Sequence, residues 1–348
     1  MQTIIRKVDE NCIDEMIMKE AGALLKEGAL VAFPTETVYG LGANALDSEA
    51  AAKIYAAKGR PSDNPLIVHI ADMDALPLIT AEIPEAAKKL AAKFWPGPLT
   101  MVMRKSDVVP YGTTGGLDTV AVRMPSHPIA LEMIRHGGGY IAAPSANTSG
   151  RPSPTLASHV ADDMNGIVPL ILDGGAVGIG IESTIVDLTD EIPTILRPGF
   201  ITKEMLQEVV GEVQIDKGLD ADSKTPPKAP GMKYRHYAPK AELMIVEGSS
   251  EAVVAKINAL VRENEEKGIC TGIIGTEETV SRYPTGIVKC MGTRNDELSI
   301  SSHLYGILRE FDESDAKVIY SESFEEGAMG SAIMNRLLKA AGHKIIHV

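Results

Sequence analysis

An α/β protein of two domains is what the sequence predicts, and three observations carry that expectation. Helical and extended signals alternate from Asp14 onward. The 348 residues exceed what one hydrophobic core usually covers. A basic, proline-rich stretch around residue 230 separates two rounds of the alternation.

In the first round, apolar residues at helical spacing over 14–27 stop at Gly28, and 29–33 reads as a buried strand. The alanine-rich stretch 48–58 is a helix, with Gly59 placed as a left-handed cap. Strands are expected at 66–70, 99–103, 119–124, 140–143, 170–173, 183–188 and 194–197, preceded by a charged first strand within residues 1–10. Helices are expected at 84–94, 127–135, 156–165 and 202–210. The first domain is therefore placed at 1–210, a basic linker at 211–240 and a second domain at 241–348. There the pattern restarts: strand 243–247, helix 251–265, strands 271–275 and 286–291, helix 296–311, strand 318–320, helix 329–341 and strand 345–348. Short βα connections predict a small parallel, Rossmann-like sheet, though no Gly-x-Gly-x-x-Gly follows its first strand.

Composition narrows the function. The chain has no window of about 18 uncharged apolar residues, and its N-terminus carries charges. No membrane span or signal peptide is expected, and a cytoplasmic location is. Three scattered cysteines, Cys12, Cys270 and Cys290, argue against a disulfide framework and a zinc site and read as buried thiols. A net charge of −13 argues against a general nucleic-acid surface, which needs Lys and Arg to neutralise phosphate. Residues 221–240 depart from this, with Lys224, Lys228, Lys233, Arg235 and Lys240 against Asp222 alone, a local balance of +4. Four prolines there predict an extended linker, and with its tyrosines it reads as a strap over an anion.

Two polar motifs suggest which anion. Lys58-Gly59-Arg60-Pro61, with Ser62 and Asn64 behind, sets two cations at what reads as an exposed helix end. Arg60 offers a planar fork and Lys58 a mobile point charge. Pro144-Ser145-Ala146-Asn147 turns a polar corner after an apolar run. Other distinctive groups also fall at strand ends, where open α/β sheets bind ligands: Thr35 and Thr37, His69, Arg123, Ser183 and Arg197. Each alone is more often a cap, an ion pair or a core histidine; their shared placement favours a site. P-loop, zincin and nucleophile-elbow motifs are all missing. A triphosphate would then be held by Lys58, Arg60 and Arg197 with magnesium, and catalysis would rest on positioning and charge neutralisation at phosphorus.

At this point the motifs resemble a family. Pro34-Thr35-Glu36-Thr37-Val38-Tyr39-Gly40-Leu41, Lys58-Gly59-Arg60-Pro61, Asn64-Pro65-Leu66, Trp95-Pro96-Gly97-Pro98-Leu99-Thr100, Arg123-Met124-Pro125, Pro144-Ser145-Ala146-Asn147, Ser183-Thr184-Ile185 and Leu196-Arg197-Pro198-Gly199 are similar, in order, to the threonylcarbamoyl-AMP synthases. The stretch from Pro230 to Pro239 and the domain after it resemble the longer, two-domain branch. The resemblance implies a twisted open YrdC-like α/β domain followed by a smaller Rossmann-like one. It implies the reaction of L-threonine, bicarbonate or carbon dioxide, and ATP to threonylcarbamoyl-AMP and pyrophosphate, for threonylcarbamoyladenosine in tRNA. By likeness, Thr37, His69, Arg123, Ser145 and Ser183 line the threonine site. Arg60, Asn64, Thr119, the backbone at Ala143, Ser153, Arg197 and Tyr234 hold ATP, with Lys58 and Arg60 catalytic at the phosphates and Thr35, Asn147 and Tyr237 in support. Magnesium is expected on the phosphates, without a protein cage, and a downstream tRNA transfer enzyme is the expected partner. The rivals are a double-stranded RNA-binding module, disfavoured by the charge, and a regulatory subunit without turnover.

Overall fold

The computed structural model describes residues 2–216, 236–324 and 327–348. These fall into two compact units. The first holds the described residues up to 216, except that 150–152 and 179–181 group with the second, which runs from 236 to 348. Most of the linker expectation, including Tyr234, therefore lies outside the described residues.

The first unit is built on an eleven-stranded sheet: β1 (Ile4–Lys7), β2 (Val31–Phe33), β3 (Gly40–Asn44), β4 (Ile67–His69), β5 (Leu99–Arg104), β6 (Thr119–Arg123), β7 (Ile141–Ala143), β8 (Leu170–Asp173), β9 (Thr184–Asp187), β10 (Thr194–Arg197) and β11 (Gln214–Ile215). Across the sheet they run β1-β8-β2-β3-β7-β4-β6-β5-β9-β10-β11. Pairing is mixed: β4 with β6 and β5 with β9 are parallel, whereas β3 with β7, β4 with β7 and β5 with β6 are antiparallel.

The period-two alternation of short strands splits two apolar layers. Val31, Phe33, Ile141, Leu170 and Leu172 face a layer with Met18 and Leu25 of helix Glu15–Lys26 and Ile129 and Met133 of helix Pro128–His136. Their neighbours Ala32, Ala142 and Ile171 face the other, with Ile54 of helix Ser48–Lys58, Leu90 of helix Glu85–Phe94, Val160 of helix Ala157–Met164 and Leu206 of helix Lys203–Val210.

Strand β3 was not expected from sequence. Its two glycines weaken a strand reading, yet packing requires them: a Cβ at Gly40 would stand 2.9 Å from the Phe33 ring, and one at Gly42 2.9 Å from Ile141. The cysteine expectation is corrected as well. Cys12 and Cys290 are exposed and Cys270 is half-buried.

The second unit carries β12 (Glu242–Glu247), β13 (Thr271–Gly275), β14 (Ile287–Cys290), β15 (Val318–Glu322) and β16 (Ile345–His347). Their order is β14-β13-β15-β12-β16, every pair parallel. This is the expected Rossmann-like layout, with helices Ser250–Glu266, Glu297–Asp312 and Gly330–Ala341 as connections. Among the described residues no helix is long and apolar enough to cross a membrane.

Candidate functional site

Helix Ser48–Lys58 ends as its sequence dictates. Gly59 adopts φ 60°, and its N–H returns to the carbonyls of Ala56 and Tyr55. The exposed-end expectation fails for Lys58, which is only 2% exposed. Its ammonium donates to the carbonyls of Ser145 and Asn147 and, at 3.4 Å, to Asn147 Oδ1. Ser145 Oγ donates to the same Oδ1, and Asp163 accepts the Thr148 N–H at 3.0 Å, so the polar corner is fastened from both sides. Arg60 is half-buried and folds onto its own turn, Nη2 donating to the carbonyls of Asn64 (3.3 Å) and Pro65 (3.1 Å). Asn64 is buried, and its Oδ1 has no hydrogen-bond partner.

Strand register explains why these residues meet. Strand β7 runs antiparallel to β4, so Ala143 pairs with Ile67 and the corner beyond it lies toward the amino end of β4, beside the 59–65 turn. Thr119 opens β6, parallel to β4, on that same side. A bridge between Gly40 and Ser145 then ties the corner to the segment that leaves β2.

A second group gathers at the opposite ends of β4 and β6. His69 pairs with Arg123, and Arg123 with Thr100 across β5. Thr100 Oγ1 is 2.7 Å from Ser183 Oγ, and Arg197 donates to both the carbonyl (3.0 Å) and hydroxyl (3.2 Å) of Ser183. Arg123 Nη1 donates to Thr37 Oγ1 at 2.9 Å, and Thr35 Oγ1, 2.8 Å from that hydroxyl, donates to the Val38 carbonyl. Ser153 Oγ donates to buried Glu182, next to Ser183, at 2.6 Å. The segment from Thr35 to Gly40 joins the two groups, held by Arg123 at one end and Ser145 at the other.

Several polar atoms here are left open. Glu36 Oε1 lies 2.7 Å from Arg123 Nη2, a close approach of charge. The N–H does not aim at it, and neither Glu36 oxygen nor Nη2 has a hydrogen-bond partner. His127 Nδ1 is likewise buried without one. A buried polar atom left without a partner costs roughly 1–3 kcal/mol, so each of these is a candidate contact for water or a ligand. His69 is held neutral, its pKa brought down to about 3 by burial and by the Arg123 charge. Its Nδ1 stands 3.1 Å from the Ile67 carbonyl.

Tyr237, expected over the phosphates, is buried in the second unit at φ 65° and stacks on Tyr305, ring centroids 5.0 Å apart. Asp163 and His127 were not singled out from sequence, and Glu36, Thr100 and Glu182 were given no role there. Glu36 carried one signal, a carboxylate between two threonines directly after an apolar strand; the others become visible only through contacts between distant segments. Among the described residues no cluster of three or more His, Cys, Asp or Glu could hold a metal ion.

Cations, hydroxyls and open polar atoms along the strand ends of a mixed sheet mark a two-domain α/β protein with a candidate site for small anionic molecules. A family model described as telomere recombination matches residues 23–199, and one described as threonylcarbamoyl-AMP synthase, C-terminal domain, matches 201–342. The threonylcarbamoyl-AMP synthase of Bacillus subtilis is 51% identical over 339 residues, covering 97% of this chain and 96% of the relative. That of Pyrococcus abyssi is 51% identical over 346 residues, covering 99% and 100%. The crystal structure of P. abyssi Sua5 complexed with L-threonine aligns with a TM-score of 0.95 at 50% identity, over 99% of this chain and 100% of that one. The chain belongs to the threonylcarbamoyl-AMP synthase family.

Proposed function

We propose that the protein makes L-threonylcarbamoyl-AMP and pyrophosphate from L-threonine, bicarbonate or carbon dioxide, and ATP, for threonylcarbamoyladenosine in tRNA. The observation that carries this reading is the Arg123 guanidinium, buried, steadied by Thr37 and facing the Glu36 carboxylate at Nη2. A buried fork that can exchange Glu36 for a substrate carboxylate is a carboxylate receptor. Thr37, His69, Ser145 and Ser183 complete the threonine site, and neutral His69 adds a polar group without a second charge. The complex of the P. abyssi relative with L-threonine supports this assignment.

ATP falls to Arg60, Asn64, Thr119, the backbone at Ala143, Ser153 and Arg197, with Lys58 at the phosphates. Carbamate oxygen attacks the α-phosphorus and pyrophosphate leaves, while the cations neutralise the charge that builds up. Arg60 reaches the nucleotide by exchanging turn carbonyls for phosphate oxygens. Magnesium would ride on the triphosphate: the groups around Lys58 are cations and carbonyls, not a carboxylate cage, and no step is assigned to the metal. Tyr234 is a proposed ATP contact outside the described residues. The labile mixed anhydride calls for a tRNA-transferring enzyme as its consumer, and a cytoplasmic place of work goes with that role.

Pyrophosphate release with each substrate omitted in turn tests the reading. Release should require threonine, bicarbonate and ATP together. Release without threonine would overturn it.

A further inference from the structure

Counting hydrogens fixes the direction of a chain of hydroxyls in the first unit. Thr35 and Thr37 are 2% and 0% exposed, so neither hydroxyl faces bulk water. Each has one hydrogen and two lone pairs to place. Thr35 Oγ1 stands 2.6 Å from the Val38 carbonyl, and a carbonyl oxygen only accepts, so the Thr35 hydrogen is used there. The 2.8 Å contact between the two hydroxyls therefore runs one way: Thr37 donates and Thr35 accepts. The amides of Thr37 and Val38 also donate to Thr35 Oγ1, at 3.1 and 3.2 Å, and hold it in this role. Thr37 has now used its one hydrogen, and Arg123 Nη1 occupies one of its lone pairs at 2.9 Å. Among the described residues, that leaves Thr37 a single lone pair to offer.

From this chain we infer that Thr35 is a positioning residue: by engaging the Thr37 hydrogen it makes Thr37 a pure acceptor for the amino group of the amino-acid substrate. The inference rests on threonine binding beside Arg123, its carboxylate taking the place that Glu36 holds at Nη2. Arg123 and Arg197 can only donate, which suits them to substrate oxygens. Thr37 is the complementary pole, bonded to the same Arg123 fork. In an α-amino acid the nitrogen sits on the carbon that bears the carboxylate, and the β-hydroxyl one atom further away. The group that meets Thr37 beside a carboxylate on Arg123 is therefore an N–H. The direction of the chain also matters once that nitrogen reacts. Its lone pair has to be open to carbon, and a hydroxyl free to turn would donate into that pair and cap it. Thr35 prevents the turn, so Thr37 can steady the amine without blocking it.

Calorimetric titration of the full chain with L-threonine and with L-2-aminobutyrate, which keeps the amino group and lacks the hydroxyl, tests what Thr37 reads. Thr37→Val should weaken both ligands by the same factor, roughly 10- to 100-fold, the scale of a hydrogen bond to a charged group. Thr37→Ser should restore both. A loss confined to L-threonine would assign Thr37 to the β-hydroxyl and overturn the inference, as would no loss at all. Pyrophosphate release at saturating substrates tests Thr35. Thr35→Val frees the Thr37 hydrogen, so kcat should fall about tenfold, the scale of one hydrogen bond to be broken before attack. Adding Thr37→Val removes that hydrogen and should raise kcat again. A double variant no faster than Thr35→Val would mean that Thr35 is merely structural, and the inference would fail. Thr35→Ser keeps the hydroxyl and should match the parent chain in both measurements; a serine variant as slow as Thr35→Val would count against the inference equally. Thr35→Ala, which needs no room for a second methyl group, carries the same kcat comparison if Thr35→Val does not fold. A parent chain that does not bind L-threonine would instead sink the substrate assignment, so the two failures are told apart.

Discussion

The strand ends of the two units treat buried charge in opposite ways. In the second unit Glu322, 1% exposed at the end of β15, accepts from the Tyr283 hydroxyl at 2.7 Å and from Arg294 at 2.6 Å. Nearby, Asn264 donates to Thr271 and Tyr320. In the first unit Glu36, Asn64, Arg123 and His127 keep atoms without a hydrogen-bond partner among the described residues, Glu36 and Arg123 meeting only as an ion pair at 2.7 Å. A closed network fixes a fold; an open one is held in readiness for a ligand. Damage to the second should therefore appear as lost stability, and damage to the first as lost turnover.

The largest effect tests the open side. Lys58→Ala or Arg60→Ala should lower adenylate formation by roughly two to four orders of magnitude, the scale of a lost charge-assisted stabiliser at a reacting phosphate. The two should differ in stability. Lys58→Ala strands the buried carbonyls of Ser145 and Asn147 and should cost about 1–3 kcal/mol in a urea melt. Half-buried Arg60 should cost far less, and equal losses would blur the contrast. Second comes the closed side: Glu322→Ala should destabilise by about 3 kcal/mol, the low end for a broken buried pair because Arg294 is 31% exposed. Pyrophosphate release per folded molecule should hold. A selective fall in kcat would make the second-unit network functional too.

Substrate choice gives a smaller effect. Serine lacks one methyl group, which a pocket distinguishes by about 1–3 kcal/mol in kcat/KM, so serine should be a poor substrate and not an inert one. Equal use would move the threonine site away from Thr37 and Ser183. A further effect, on stability alone, concerns His69. Its folded pKa near 3 lies below the usual 6.5, so the folded state binds the proton less well than the unfolded chain. Its contribution is fully present above about pH 6.5 and fades as the pH falls toward 3. His69→Gln should flatten the stability slope in that window by up to one proton, measured by urea melts at stepped pH.

Much of the fold could be read from the sequence because local patterns decided it. Helix 48–58 and strands 170–173, 194–197 and 271–275 stand where periodicity places them. Strand β3 escaped because Gly40 and Gly42 answer to the Phe33 ring and Ile141, which are tertiary neighbours. Candidate site residues were legible where a motif concentrates them, as at Lys58, Arg60, Ser145 and Asn147. Their bonding was not. Nothing local says that Lys58 turns inward to carbonyls 87 and 89 positions away, or that Ser183 meets Thr100. Partners set by strand register leave no mark on either segment alone.

The carbonyl cradle of Lys58 also decides how this amine behaves toward carbon dioxide. Among the described residues three acceptors engage Nζ, and satisfying all three takes the three N–H bonds of an ammonium, so no nitrogen lone pair is left to attack carbon. In a protein that joins an amine to carbon dioxide, a bare lysine nearby would compete with the substrate and lose its charge as a carbamate. Trapping with isotopically labelled carbon dioxide should mark exposed lysines and spare Lys58. The corner that positions this cation is thus also a chemical shield, keeping the enzyme from carbamylating itself.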